Sequence, residues 1–175
     1  MGEPMKKSVL AVLSLVFMGL SFTAHAKRPI PKENAEQLRY FLSNEGAYKD
    51  YMLQCAGCHR FDGNGAENRG IPSFVNSIGM FTRTPEGRAY MIRVPGASQS
   101  QITNDELSLV LNWIVAKYSP EEYHSNQYRP FTAAEVGASR PHRFDDVVVE
   151  RRKLEKLFKE KGWEPAPYLY GLHRR

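Results

Sequence analysis

Apolar positions between residues 34 and 161 recur at spacings of three and four rather than two, a pattern that predicts helices. The clearest case begins at Thr103 and Glu106, which form a capping box. Leu107, Val110, Leu111, Ile114 and Tyr118 then repeat along one face, and Ser119-Pro120 ends the run. Earlier, Asn34 stands as an N-cap with Gln37 three residues on, ahead of Leu38, Phe41 and Leu42. Gly46 separates this run from a second one over residues 47–54, which carries Tyr48, Tyr51 and Met52. Thr84-Pro85 opens a helix through Ala89, Met91 and Ile92 that must stop before Pro95-Gly96.

Beyond residue 118 the pattern loosens and then resumes. Tyr123, Tyr128 and Phe131 lie in an irregular stretch and read as contacts that hold the C-terminal part of the chain against the core. Thr132 and Glu135 make another capping box. Asp145 or Asp146 then caps a longer basic helix to Lys161, with Gly162 as its stop. Leu154, Leu157 and Phe158 give this helix a narrow apolar stripe, and its charged positions over residues 150–161 read as a solvated face. Residues 163–175 read as an irregular tail, and residues 61–77, rich in Gly, Asn and Asp, as a loop of the length that usually serves a site.

The N-terminal run does not fit this scheme. Lys6 and Lys7 precede a weakly polar stretch over residues 8–23 that ends in Ala24-His25-Ala26. A basic start, a short apolar core and a small-x-small site mark residues 1–26 as a cleavable export signal, since the run is shorter than the roughly 20 residues that span a bilayer. Residues 27–33, with Pro29 and Pro31, form an extended leader. No later segment is apolar enough to cross a membrane. The composition, 175 residues with 42% hydrophobic and 25% charged, is that of a folded globular chain of one domain with room for an appendage. The net charge of +5 is dispersed, which is too little for nucleic acid but could help docking to an acidic partner.

Export sharpens the meaning of the cysteines. There are two, in Cys55-Ala56-Gly57-Cys58-His59, and the loop between them is too small for a disulfide to constrain a chain of this size usefully. Two thiols on one turn can add to the two vinyl groups of a haem, and the adjacent His59 is then aimed at the iron. A thioredoxin-like pair would need strands around it, and a zinc site a fourth ligand such as His124 or His142 without motif spacing. A single covalent haem c, held by Cys55 and Cys58 with His59 as proximal iron ligand, is the reading that uses all three residues.

Residues 46–118 resemble the class I c-type cytochromes, with a helix entering Cys-x-x-Cys-His, a loop, a short helix ending in Pro-Gly and a last amphipathic helix bearing an aromatic residue. The resemblance implies that the first and last helices cross at a small residue and an aromatic pair, here Gly46 or Ala47 with Tyr51 facing Trp113. It also implies a one-electron carrier rather than an enzyme, and redox protein partners such as a periplasmic dehydrogenase and an oxidase.

The departure is on the distal side of the iron. Family members place a methionine in the loop before the last helix, and Ala97-Ser98-Gln99-Ser100-Gln101 has none. Met91 is the first distal candidate and Met80 the second, with His124, His142 or an open position as the remaining options; Met52 lies on the attachment helix, on the wrong side. The expected architecture is therefore all-α: a small cytochrome c-like core over residues 34–118 and a helical C-terminal extension over residues 119–175. An open iron would suit gas binding or peroxide chemistry instead, and absence of haem a thiol or metal-handling protein.

Overall fold

Asn44, not Gly46, makes the first sharp break in the chain: its side-chain Oδ1 accepts a hydrogen bond from the Ala47 N–H at 2.9 Å and starts a new helix ahead of the glycine. In the computed structural model, which describes residues 33–125 and 127–169, that cap divides α1 (Asn34–Leu42) from α2 (Glu45–Gln54). The expected export signal, residues 27–32 of the leader and the end of the tail lie outside the described residues, as does the side chain of His124.

The chain continues through the short α3 (Ala56–His59), α4 (Pro85–Arg93), the single turn α5 (Pro95–Ser98) and the long α6 (Asn104–Tyr118). Extension helices α7 (Ala133–Ser139) and α8 (Val147–Glu160) come next. Thr84 caps α4 through the Gly87 N–H, with Pro85 at the first helical position. The Thr103–Glu106 box on α6 is complete. On α7 only half of the expected box forms, because Glu135 turns away to Arg88. Among the described residues there is no strand, only an isolated bridge between Ala66 and Ile71. The fold is all-α and cytochrome c-like.

The centre is α6, and it departs from the amphipathic helix its spacing predicts. It is buried nearly all round, polar Ser108 and Asn112 included. One face meets α2, where Tyr51 lies 5.0 Å from Trp113 between ring centroids and Ala47 fills the crossing. Gly46 is exposed, so the small residue of the crossing is Ala47.

The other face of α6 is covered by the extension. Asn112 Nδ2 donates to the Phe131 carbonyl at 2.9 Å, while its Oδ1 accepts from the Phe131 N–H at 2.8 Å and the Tyr128 hydroxyl at 2.6 Å. Buried Arg88 on α4 reaches across to Glu135 with two bonds of 2.7 and 2.6 Å and lies over the Phe131 ring. Phe131, Val136, Leu154 and Phe158 therefore belong to the same apolar cluster as Phe41, Phe81, Met91 and Leu107. Extension and core share one interior.

Candidate functional site

Cys55 closes α2 and opens α3, and its carbonyl accepts from both the Cys58 and His59 N–H groups at 3.2 and 3.0 Å. This single turn puts the two thiols and the imidazole on one short stretch of backbone. Directly after it Arg60 takes a positive φ of 63°. Two tyrosines from the helix crossing hold that turn: the Tyr51 hydroxyl donates to the Arg60 carbonyl at 2.6 Å and the Tyr118 hydroxyl to the Phe61 carbonyl at 2.8 Å. The aromatic crossing thus also fixes the histidine.

The loop then folds back over His59. The Gly65 N–H donates to the His59 carbonyl, and a Cβ at Gly65 would lie 2.5 Å from the Ile71 carbonyl oxygen and 2.6 Å from that of Pro72. Glycine is required there for the returning chain to approach this closely. Phe74, carried on that return, stacks on the imidazole at 3.8 Å between ring centroids.

These residues border a cavity of about 330 Å³. Cys55, Cys58 and His59 line one part, Tyr90 and Met91 of α4 another, and apolar side chains of α6 such as Leu107 and Ile114 the back. Val147, Arg151 and Tyr168 of the extension complete the wall. Met91, buried, is thereby brought to the same cavity as His59, whereas Met80 packs into the apolar cluster away from the lining. Met52 packs at the α2–α6 crossing, and His142 is exposed between α7 and α8.

Burial pushes the His59 pKa down to about 4, opposed by the Pro72 carbonyl, so the ring is neutral at physiological pH. Its Nδ1 is buried without a well-formed hydrogen bond. The Cys55 thiol is pushed up to about 11, mainly by burial and then by Asp50 and Cys58. A redox-active dithiol needs the opposite shift. Both cysteines are free thiols, and no three His, Cys, Asp or Glu side chains among the described residues cluster as an ion site. Two thiols one turn apart, a neutral imidazole and an apolar cavity fit a covalently attached haem better than a dithiol switch or a zinc ion.

The loop without methionine is held from the extension. Arg140 donates to the carbonyls of Ser98, Ser100 and Ile102, with Nε to Ser98 at 3.1 Å and Nη1 to Ile102 at 2.8 Å. It also reaches Asn104 Oδ1 at 3.2 Å. This segment is a clamped wall of the site.

Sequence reasoning misses Arg151: the periodic reading places it on a solvated face, yet it is 2% exposed. The signal is present, because Arg151 lies three residues before Leu154 and seven before Phe158, on the line of the apolar stripe. Phe74 and Tyr168 are missed as well, and nothing in their spacing marks them.

The architecture is that of a small all-α protein in which a Cys-x-x-Cys-His turn borders an apolar cavity. The chain is similar to cytochrome c-552 of Thermus thermophilus, 28% identical over 121 residues that span 58% of this chain and 91% of that protein. A second cytochrome c-552, from a particular strain of Thermus thermophilus, is likewise 28% identical over 121 residues, with 58% of this chain and 80% of that one covered. No family model matches the chain.

Proposed function

We propose that this chain is an exported, periplasmic c-type cytochrome that carries one covalent haem and passes single electrons between protein partners. The observation that carries this reading is the meeting of Cys55, Cys58, His59 and Met91 at one apolar cavity. When bound, the haem supplies an iron that changes oxidation state by one electron while no substrate is transformed.

The residues divide the remaining work. Cys55 and Cys58 form the thioether links. His59 offers a neutral nitrogen as proximal ligand because burial keeps its pKa low, and Phe74 sets the plane of its ring. The Pro72 backbone lies beside the imidazole and partly offsets the effect of its burial. Met91 supplies the distal thioether from α4, in place of a residue from the Arg140-clamped loop. Residues 34–118 form the electron-transfer unit, and Val147, Arg151 and Tyr168 of the extension close the site from outside.

Exchange with partners takes place beside Cys58, which is exposed. Leu53 and Phe61, 78% and 76% exposed, flank the attachment turn and provide the apolar contact of a small, short-lived interface. The net charge of +5 favours acidic partners, and a periplasmic dehydrogenase as donor with an oxidase as acceptor fits this chemistry. Among the described residues no helix is long and apolar enough to cross a membrane.

Protein made with the c-type maturation machinery is expected to show one covalent haem per chain by pyridine haemochrome assay and a low-spin ferric spectrum with the weak far-red band of methionine ligation. Met91→Leu is expected to keep the haem, lose that band and lower the midpoint potential. High-spin ferric haem that binds carbon monoxide rapidly once reduced would instead assign an open iron and gas or peroxide chemistry. Absence of covalent haem would leave a thiol or metal-handling protein.

A further inference from the structure

Arg151 is the only arginine or lysine among the described residues that line the cavity, and no aspartate or glutamate lines it. It is 2% exposed, so its charge has been taken out of water and needs compensation. Within the protein that compensation is partial. Nε donates to Glu155 Oε1 at 2.9 Å, but Glu155 is itself one-third exposed, and Nη2 donates to the Ala166 carbonyl at 2.8 Å. The guanidinium is further placed over the Phe81 ring at 4.8 Å and the Tyr168 ring at 5.7 Å.

Two phenols share this corner of the cavity. Tyr90 and Tyr168 both line it, and the Tyr90 hydroxyl is within hydrogen-bond reach of the Arg151 guanidinium. The backbone around the corner is fixed: the Ala166 N–H donates to Ser77 Oγ at 2.7 Å, which ties the tail back to the loop that covers His59. A buried guanidinium with two tyrosines beside it, at the edge of an otherwise apolar cavity, is built to receive a carboxylate.

We propose that Arg151, with Tyr168 and Tyr90, anchors a propionate carboxylate of the haem, so that the C-terminal extension is a working part of the cofactor site and helps set its potential. This rests on the covalent-haem reading above. All of α8 and the tail lie beyond residues 46–118, where the resemblance to class I cytochromes runs. Pairing the propionate with a fixed positive charge removes a negative charge beside the iron and favours the reduced state. The thioether links do not depend on it.

The test uses the full matured protein, wild type and with Arg151→Met, Arg151→Lys, Glu155→Gln and Tyr168→Phe, read by haemochrome content and by redox titration. All variants are expected to carry covalent haem. Arg151→Met is expected to lower the midpoint potential by at least a tenfold shift in the reduced-to-oxidised ratio, about 59 mV for one electron. Arg151→Lys should recover most of that shift, and Glu155→Gln, which loosens the same helix but keeps the charge, should not lower the potential. An Arg151→Met protein with covalent haem and an unchanged potential overturns the proposal and leaves the cytochrome reading intact. If Arg151→Met does not fold, Tyr168→Phe decides: a smaller fall in the same direction supports the anchor, and none overturns it. Wild-type protein without covalent haem defeats the underlying reading itself.

Discussion

Replacing Cys55 and Cys58 together with serine is expected to abolish covalent haem and, with it, cooperative folding of the chain. The cavity that the two thiols border measures about 330 Å³ and is lined largely by apolar side chains from α4, α6 and the loop after His59. At about 24 cal/mol per Å³ of unfilled cavity, leaving it empty costs on the order of 8 kcal/mol, an upper figure because one side opens to solvent. A domain of this size has only about 5–15 kcal/mol of net stability, so under the proposed haem reading the group that fills the cavity would supply a large part of what holds α4 and α6 in place. Far-UV circular dichroism of the double variant is expected to show reduced helix and a broad thermal transition, with dye-accessible apolar surface. A sharp transition near the wild-type midpoint, in protein shown by mass to lack haem, would mean that no large group belongs in the cavity.

The features legible in the sequence are those set by neighbours along the chain. The Thr103–Glu106 box, the Thr84-Pro85 start, the Asp146 cap and the Gly162 stop each depend on residues within about a turn, and each stands where the spacing puts it. The Cys-x-x-Cys-His turn is local in the same sense. Even the Tyr51–Trp113 contact can be anticipated, because it joins two helices whose order the pattern already fixes.

What escapes a periodic reading is set by long-range burial of polar groups. Such a reading treats Arg88, Asn112 and Arg151 as surface positions, since the cost of burying them is normally prohibitive. Each is tolerated because a partner far away in sequence satisfies it: Phe131 and Tyr128 for Asn112, Glu135 for Arg88, and the Ala166 carbonyl for Arg151. For the same reason the spacing along α6 predicts one wet face, which the extension in fact covers. The choice between Met91 and Met80 is also beyond the pattern, because both are apolar residues near one helix and only the packing of α4 turns Met91 to the cavity.

Asn112→Ala is expected to produce the second large effect, and to do so without touching the cavity directly. The substitution leaves the buried Phe131 N–H and carbonyl without their side-chain partner on α6, and the Tyr128 hydroxyl with only Tyr123. At about 1–3 kcal/mol for each buried group left unpaired, partly relieved by local rearrangement, the loss should reach about 3–5 kcal/mol. It falls on the seam that holds the extension, so α7 and α8 should open before the helices around His59 do. Limited proteolysis of the holoprotein is therefore expected to cut between α6 and α8 far faster than in wild type, together with a lower denaturation midpoint. Because Val147, Arg151 and Tyr168 come from the released part, the haem spectrum and midpoint potential should shift as well, although Asn112 lies outside the cavity lining. A variant with a loss below about 1 kcal/mol, the net worth of a single ordinary hydrogen bond, would show that the extension is held by its apolar face alone. Asn112→Leu separates the two contributions: it fills the space yet offers no partner to Phe131 or Tyr128, so it should recover little of the loss if the hydrogen bonds hold the seam and most of it if packing does.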